Sequence, residues 1–257
     1  METYFSKYYF GGPFQPLGVP HLTALMFISV VNIWVGLRGK RFTRRSKNTV
    51  RLGLAAGLIF FQSAWLIWLF MVGEATIRTA LPLHLCNLMV LLSAIMLLLK
   101  SQHLFQYTYF LGGGGALAAL WMPDLGIYGF PHFLFFQTFL VHGCLLTSQT
   151  YMAACEGFRP KFISLIKSYL ALNLYVPVIA IFNHLFSTNY LFLTAKPSSP
   201  TLLDWLGSPP WYYVWVELII LVVFCLLYLP FYLHRRTICV SRSSSTIKNI
   251  LSKKPSR

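Results

Sequence analysis

The sequence predicts an all-α, polytopic membrane protein with seven transmembrane helices, and three observations carry that prediction. Of its 257 residues 56% are hydrophobic, 17% aromatic and 11% charged, whereas a soluble domain carries about 25% charged residues. The apolar residues fall in runs of about 20, the length that crosses a bilayer's hydrocarbon core as a helix. The basic residues fall almost entirely on alternate joints between those runs. With seven runs, at 18–37, 52–72, 80–99, 105–122, 133–155, 166–187 and 211–233, 18 of the 21 basic residues share one side. Seven lie in 38–51, one is Lys100, three are Arg159, Lys161 and Lys167, and seven lie in the tail. Only Lys7, Arg78 and Lys196 face the other way. By the positive-inside rule the N-terminus is outside and the C-terminus cytoplasmic. An even number of runs would split this segregation.

The elements follow in order. Residues 1–17 form an external segment rich in Tyr, Phe and Gly. They hold neither a basic stretch nor a small-residue cleavage site, so no removable signal peptide is expected. The transmembrane domain occupies 18–233. Its third run opens on Leu81-Pro82-Leu83-His84-Leu85-Cys86-Asn87-Leu88, which carries a histidine, a thiol and an amide into an apolar segment. Its fourth holds Gly112-Gly113-Gly114-Gly115, poor material for an isolated helix but a place where a neighbouring helix can come close. Between the sixth and seventh runs, 188–210 reads as an external lid rich in proline and aromatics. Trp205, Trp211, Tyr212 and Tyr213 are its headgroup-level anchors. The basic tail, 234–257, is expected to be cytoplasmic and disordered from about Ser241. No internal repeat is visible, which weighs against an inverted-repeat transporter.

Charge and cysteines exclude further classes. The net charge of +15 sits in juxtamembrane joints and the tail, where it serves topology and attraction to anionic headgroups. Membrane lipids are therefore the expected partners, and nucleic acid is not. The five cysteines include no CxxC pair, which argues against a disulfide framework or a zinc site. No metal or cofactor motif appears, and none is expected.

Depth can be read at about 1.5 Å per helical residue. Cys86 then lies about 9 Å below the outer end of its run, with His84 shallower and Asn87 slightly deeper. Gln137 is about 6 Å and His142 about 13 Å down the fifth run, Asn183 is one turn from the surface, and Glu217 is about 9 Å down the seventh. Four helices thus place polar groups in the outer half of the membrane, and the inner half offers mainly Tyr169, Ser168 and Gln149. Lipid gives such groups no partners, so they satisfy one another or line a site. Taken singly, Cys86 is a small buried hydrophobe, and His142 and Glu217 are helix-packing residues. Cys144 lies two residues from His142 and faces elsewhere on its helix, as does His84 relative to Cys86. A Cys–His pair must come from two helices, and His142 matches Cys86 best in depth. The chemistry open to such a pair is acyl transfer, with a thiolate nucleophile, a histidine base and amide donors on the oxyanion.

With these residues in view, the sequence resembles a known family. Leu81-Pro82-Leu83-His84-Leu85-Cys86, His142-Gly143 and the run Asn189-Tyr190, Lys196-Pro197, Leu202-Leu203-Asp204, Gly207, Pro210-Trp211-Tyr212 and Glu217 are similar to the bacterial YwaF-type membrane proteins. Those are related to the animal transmembrane-protein-164 acyltransferases, and more distantly to the androgen-induced-gene hydrolases, which use a threonine and a histidine. The resemblance implies a multi-helix membrane fold, a bacterial plasma membrane, and acyl transfer to lysophospholipids through an acyl-cysteine. It assigns Cys86 as nucleophile and His142 as base. One departure is visible: Gly207-Ser208-Pro209-Pro210-Trp211-Tyr212 stands where the family pattern is Gly-Pro-Trp-Pro-Trp-Tyr, which alters the start of the seventh helix.

The expectation is a lipid acyltransferase or lipid esterase with Cys86 and His142 catalytic. His84, Asn87, Gln137, Asn183, Asn189, Tyr190, Trp211 and Glu217 are expected to shape its substrate pocket. Two alternatives stay open. A proton-coupled transporter or seven-helix ligand binder would need a watered path through both halves. A structural protein would show a dry polar layer with every group paired.

Overall fold

The structure is a computed structural model that describes residues 2–196, 206–207 and 211–252, with side chains from 4 to 196, 206–207 and 211–233. All described secondary structure is helical: α1 (Glu2–Phe5), α2 (Val19–Arg38), α3 (Arg44–Met71), α4 (Leu85–Leu99), α5 (Gln102–Tyr107), α6 (Gly113–Trp121), α7 (Phe133–Ala154), α8 (Phe162–Phe186) and α9 (Trp211–Ser252). A π turn, Thr108–Gly112, joins α5 to α6. Four segments are long and apolar enough to cross a membrane: Val19–Arg41, Arg44–Met71, Phe162–Phe186 and Trp211–Leu233. Leu85–Leu99 is apolar but shorter, and α7 has the length but carries Gln137, His142 and the polar run 147–150.

Helix α7 is the axis of the bundle, with α2, α3, α4 and α6 packed around it. Its partners fix direction and register. Against α2 the register is parallel: a Cβ on Gly143 would touch Ile28 at 3.0 Å, and Asn32 donates to Thr147 at 3.1 Å, four residues on in both chains. Against α3 it is antiparallel, since Cys144 Sγ donates to Leu54 O (3.7 Å) and Gln137 Nε2 to Phe61 O (3.4 Å). The glycine run works as expected. Added Cβ atoms at Gly112, Gly114 and Gly115 would sit 3.3, 3.4 and 3.3 Å from Met89, Val223 and Cys86, so α4 and α9 approach α6 only because those side chains are missing.

Three boundaries depart from the sequence reading. The third run begins as a turn, 80–84, and turns helical only at Leu85, because Pro82 and the extended His84 (φ −67°, ψ 137°) interrupt the backbone. The second starts at Arg44, capped by Thr43, whose hydroxyl accepts from Ser46 N–H at 3.2 Å. The seventh continues to Ser252, past the residues expected to be disordered; between Leu233 and Ser252 there is neither proline nor glycine to end it. Most of the expected lid, 197–205 and 208–210, lies outside the described residues, Trp205 included.

The inner half is also more polar than expected. Gln149 donates to Ser93 (2.9 Å) and accepts from Thr108 (3.2 Å). Ser164 donates to the Gln106 side chain (2.8 Å), Ser168 to the Gln106 carbonyl (3.1 Å), and Thr150 to Asn32 (2.7 Å). Single neutral residues spread over five helices give no cluster signal in sequence, yet they meet in space. Each side chain in this set finds a partner, as a dry interior demands.

The external segment folds back over one end of the bundle. Trp68 Nε1 donates to Phe5 O (2.9 Å), Tyr128 Oη to Lys7 O (3.0 Å) and Gly129 N to Gly12 O (3.2 Å), while Lys7 pairs with Glu74. His132 is the keystone. It is fully buried, stacks on Tyr128, donates from Nε2 to Ser6 O (3.1 Å) and accepts the Leu134 N–H at Nδ1 (3.1 Å). Burial pushes its imidazole below the ordinary histidine range, although the Ser6 contact works the other way.

Candidate active site

Helices α4 and α7 run parallel in constant register. Gln149 bonds Ser93, an offset of 56 residues. One turn outward, Leu145 and Met89 keep the same offset and both flank Gly112, at 3.5 and 3.3 Å from its added Cβ. One further turn outward the offset joins His142 to Cys86. Helix α6 runs the opposite way, so Gly115, one turn beyond Gly112, reaches the same level, and a Cβ there would stand 3.3 Å from Cys86 Sγ. The thiol and the imidazole are therefore brought to one layer between α4, α6 and α7. Both are half-buried, so neither is sealed away.

Local structure adds functional groups that sequence reasoning missed. Because α4 starts at Leu85, Cys86 occupies its first turn, and the first helical bond runs from Leu88 N–H to His84 O (3.1 Å). The N–H groups of Leu85, Cys86 and Asn87 precede it and have no helical acceptor. A helix N-terminus favours negative charge, whether on a thiolate or an oxyanion. Pro82 was the available signal for this boundary. His142 Nδ1 donates to Thr138 O at 2.8 Å, which fixes the neutral tautomer and leaves Nε2 as the free lone pair. Among the described residues Nε2 has no hydrogen-bond partner.

The other expected site residues divide into three groups. His84 and Tyr190 form the rim above Cys86: their rings meet at 5.0 Å, and Phe192 lies 5.3 Å from His84. Tyr190 is fully buried, donates to Ile77 O (2.7 Å) and accepts from Leu81 N–H (3.2 Å), so it pins the turn that precedes α4. Tyr175, not singled out from sequence, pins the same turn by donating to Leu83 O (2.9 Å). Asn87 sits beside Cys86 on the first turn of α4 and makes no side-chain hydrogen bond among the described residues.

Asn183 and Asn189 are occupied by backbone. Asn183 Nδ2 donates to Tyr190 O (2.8 Å), and its Oδ1 accepts from Tyr190 N–H (2.9 Å) and Thr188 Oγ1 (2.6 Å). Asn189 ties Thr194 and Ala195 into the same loop. They shape the loop and have no free groups directed to substrate. Gln137, Glu217 and Trp211 stand elsewhere. Gln137 faces α3. Glu217 accepts from Asn173 Nδ2 (3.3 Å) and Tyr169 on the exposed side of the α8–α9 pair. Trp211 is the exposed first residue of α9. No group of His, Cys, Asp and Glu able to hold a metal ion occurs among the described residues.

Helical spans of this length and hydropathy, packed through a glycine-rich seam around a polar outer layer, define a multi-pass membrane protein. Residues 16–228 match the model of the TMEM164 family, and the chain belongs to that family. No curated protein and no solved structure matches it.

Proposed function

We propose that this chain is a membrane-embedded lipid acyltransferase with Cys86 as nucleophile and His142 as general base. It works from the outer half of a bacterial plasma membrane, as a seven-span protein with its N-terminus outside. The observation that carries the reading is the shared offset of 56 residues, which sets Cys86 and His142 facing one another two turns out from the Gln149–Ser93 bond.

The steps follow from the groups present. His142 Nε2 takes the Cys86 proton, and the thiolate attacks the carbonyl carbon of a phospholipid ester. The tetrahedral oxyanion lies against the unpaired N–H groups of the first turn of α4. The C–O bond breaks as His142 returns the proton to the leaving alkoxide, giving a lysolipid and an acyl-cysteine thioester. The hydroxyl of a second lipid then attacks the thioester, His142 accepts its proton, the C–S bond breaks, and the proton returns to sulfur. Membership of the TMEM164 family supports this reading. So does the paired inner half, where a transporter would need a continuous wet path.

Intact-protein mass spectrometry of protein given a phospholipid donor tests it. An acyl-sized, hydroxylamine-labile mass increase in wild type and none in Cys86→Ala is the expected result. An unchanged adduct in Cys86→Ala overturns the nucleophile.

A further inference from the structure

On the opposite flank of α7 a second cavity lies between α2, α3 and α7. Its volume is about 690 Å³, and its walls are almost wholly apolar, Phe27, Ile28, Phe61, Phe139 and Leu140 among them. Its rim residues Val19, Phe27 and Phe130 are more than half exposed, so the slot opens sideways where lipid would lie. At its outer end it shares Pro20, Phe130 and Phe135 with a smaller chamber of about 160 Å³. That chamber is of the opposite character, walled by the Gly11, Gly12 and Pro13 backbone and by Gln15. A long apolar slot continuous with a small polar chamber matches an amphiphile lying along α2.

The chamber also limits the head. None of its lining residues is Lys, Arg, Asp or Glu, and Lys7 of the same segment is already paired with Glu74. His21 offers nothing free, since Nδ1 accepts from Leu17 N–H (3.0 Å) and Nε2 donates to Leu120 O (2.9 Å). The Gln15 amide makes no hydrogen bond among the described residues and is the natural partner for a hydroxyl or ester. A cavity of about 150 Å³ takes one benzene, so the chamber suits a glycerol-sized head and is too small for a phosphodiester with its substituent. The slot, more than four times larger, takes a long acyl chain.

We infer that this flank binds a single-chain lipid with an uncharged hydroxylated head, of the monoacylglycerol class. The chain lies between α2 and α7 and the head beneath residues 11–15. The site is separate from Cys86, which faces α6 across the helix.

The test uses full-length protein in phosphatidylcholine bilayers and a monoacylglycerol with a photoreactive acyl chain. Crosslinks should map to 19–31 and 135–147, and monoolein should compete at least ten times better than lysophosphatidylcholine. Thr23→Trp on the exposed face of α2, or Leu140→Trp on the opposite wall, should cut labelling at least tenfold, and Gln15→Leu should weaken it. Cys86→Ala should label like wild type, which keeps this result separate from that of the acyl-transfer experiment. Equal competition by lysophosphatidylcholine overturns the uncharged head. Labelling unchanged in both tryptophan variants overturns the site.

Discussion

The two flanks of α7 are built from the same few residues and behave differently. His142 faces α4 and α6, where it shares a layer with Cys86, whereas Gly143 and Cys144 face α2 and α3 and line an apolar slot. Successive residues on a helix turn by about 100°, so three neighbours in sequence serve two separate compartments. The contrast between the cysteines is equally local. Cys86 stands in the first turn of a helix, beside free backbone N–H groups. Cys144 is in mid-helix, wedged against Gly57 and donating to Leu54 O. A thiol's chemistry is therefore decided by its position along and around the helix.

The comparison can be broken most directly at the sulfur. Cys86→Ala should reduce lipid turnover by on the order of 10³-fold or more, while Cys144→Ala should leave it near wild type; equal losses in a lipid-turnover assay would erase the distinction between flanks. His142→Gln should cost about 10²- to 10⁴-fold, the range of a lost general base, with the acyl-enzyme forming slowly in single-turnover measurements. Asn183→Ala leaves the Tyr190 N–H and carbonyl without partners and should lower stability by about 1–3 kcal/mol, read as a fall in Tm. The smallest effect concerns pH. His132 is buried neutral with its pKa depressed, so its contribution is complete above the ordinary histidine value, about 6.5, and declines as pH falls through the lower folded value. Trp68 fluorescence should report release of the external segment over that acid range, and His132→Gln should flatten the response.

Much of this was legible in the residues. The apolar runs gave the helices, and residue type together with depth picked out Cys86 and His142. Azimuth was not legible. A soluble helix reveals its inner face through alternating polarity, but a helix bathed in lipid is apolar all round, so Gln137 and Glu217 had the right depth for the site and yet point to α3 and to the exposed side of α8. The start of α4 was hidden for a related reason. Leu81, Leu83 and Leu85 extend the apolar run unbroken across a turn, and only Pro82 marks the change. The polar inner network escaped notice because its members, Asn32, Ser93, Thr108 and Gln149, are far apart in the chain and individually unremarkable.

The π turn at Thr108–Gly112 has a bearing on how this chain can change over generations. Such a turn is an α-helix that has absorbed an additional residue. A one-residue deletion there restores an ordinary helix and swings everything after it by about 100°. Gly114 and Gly115 would leave α9 and Cys86, and bulkier neighbours would arrive in their place. Point substitutions around the glycine seam can be absorbed one at a time, but a single-codon loss in this segment would disable the site and the seam together. Inherited length variation should therefore collect in the external loops and spare 108–115.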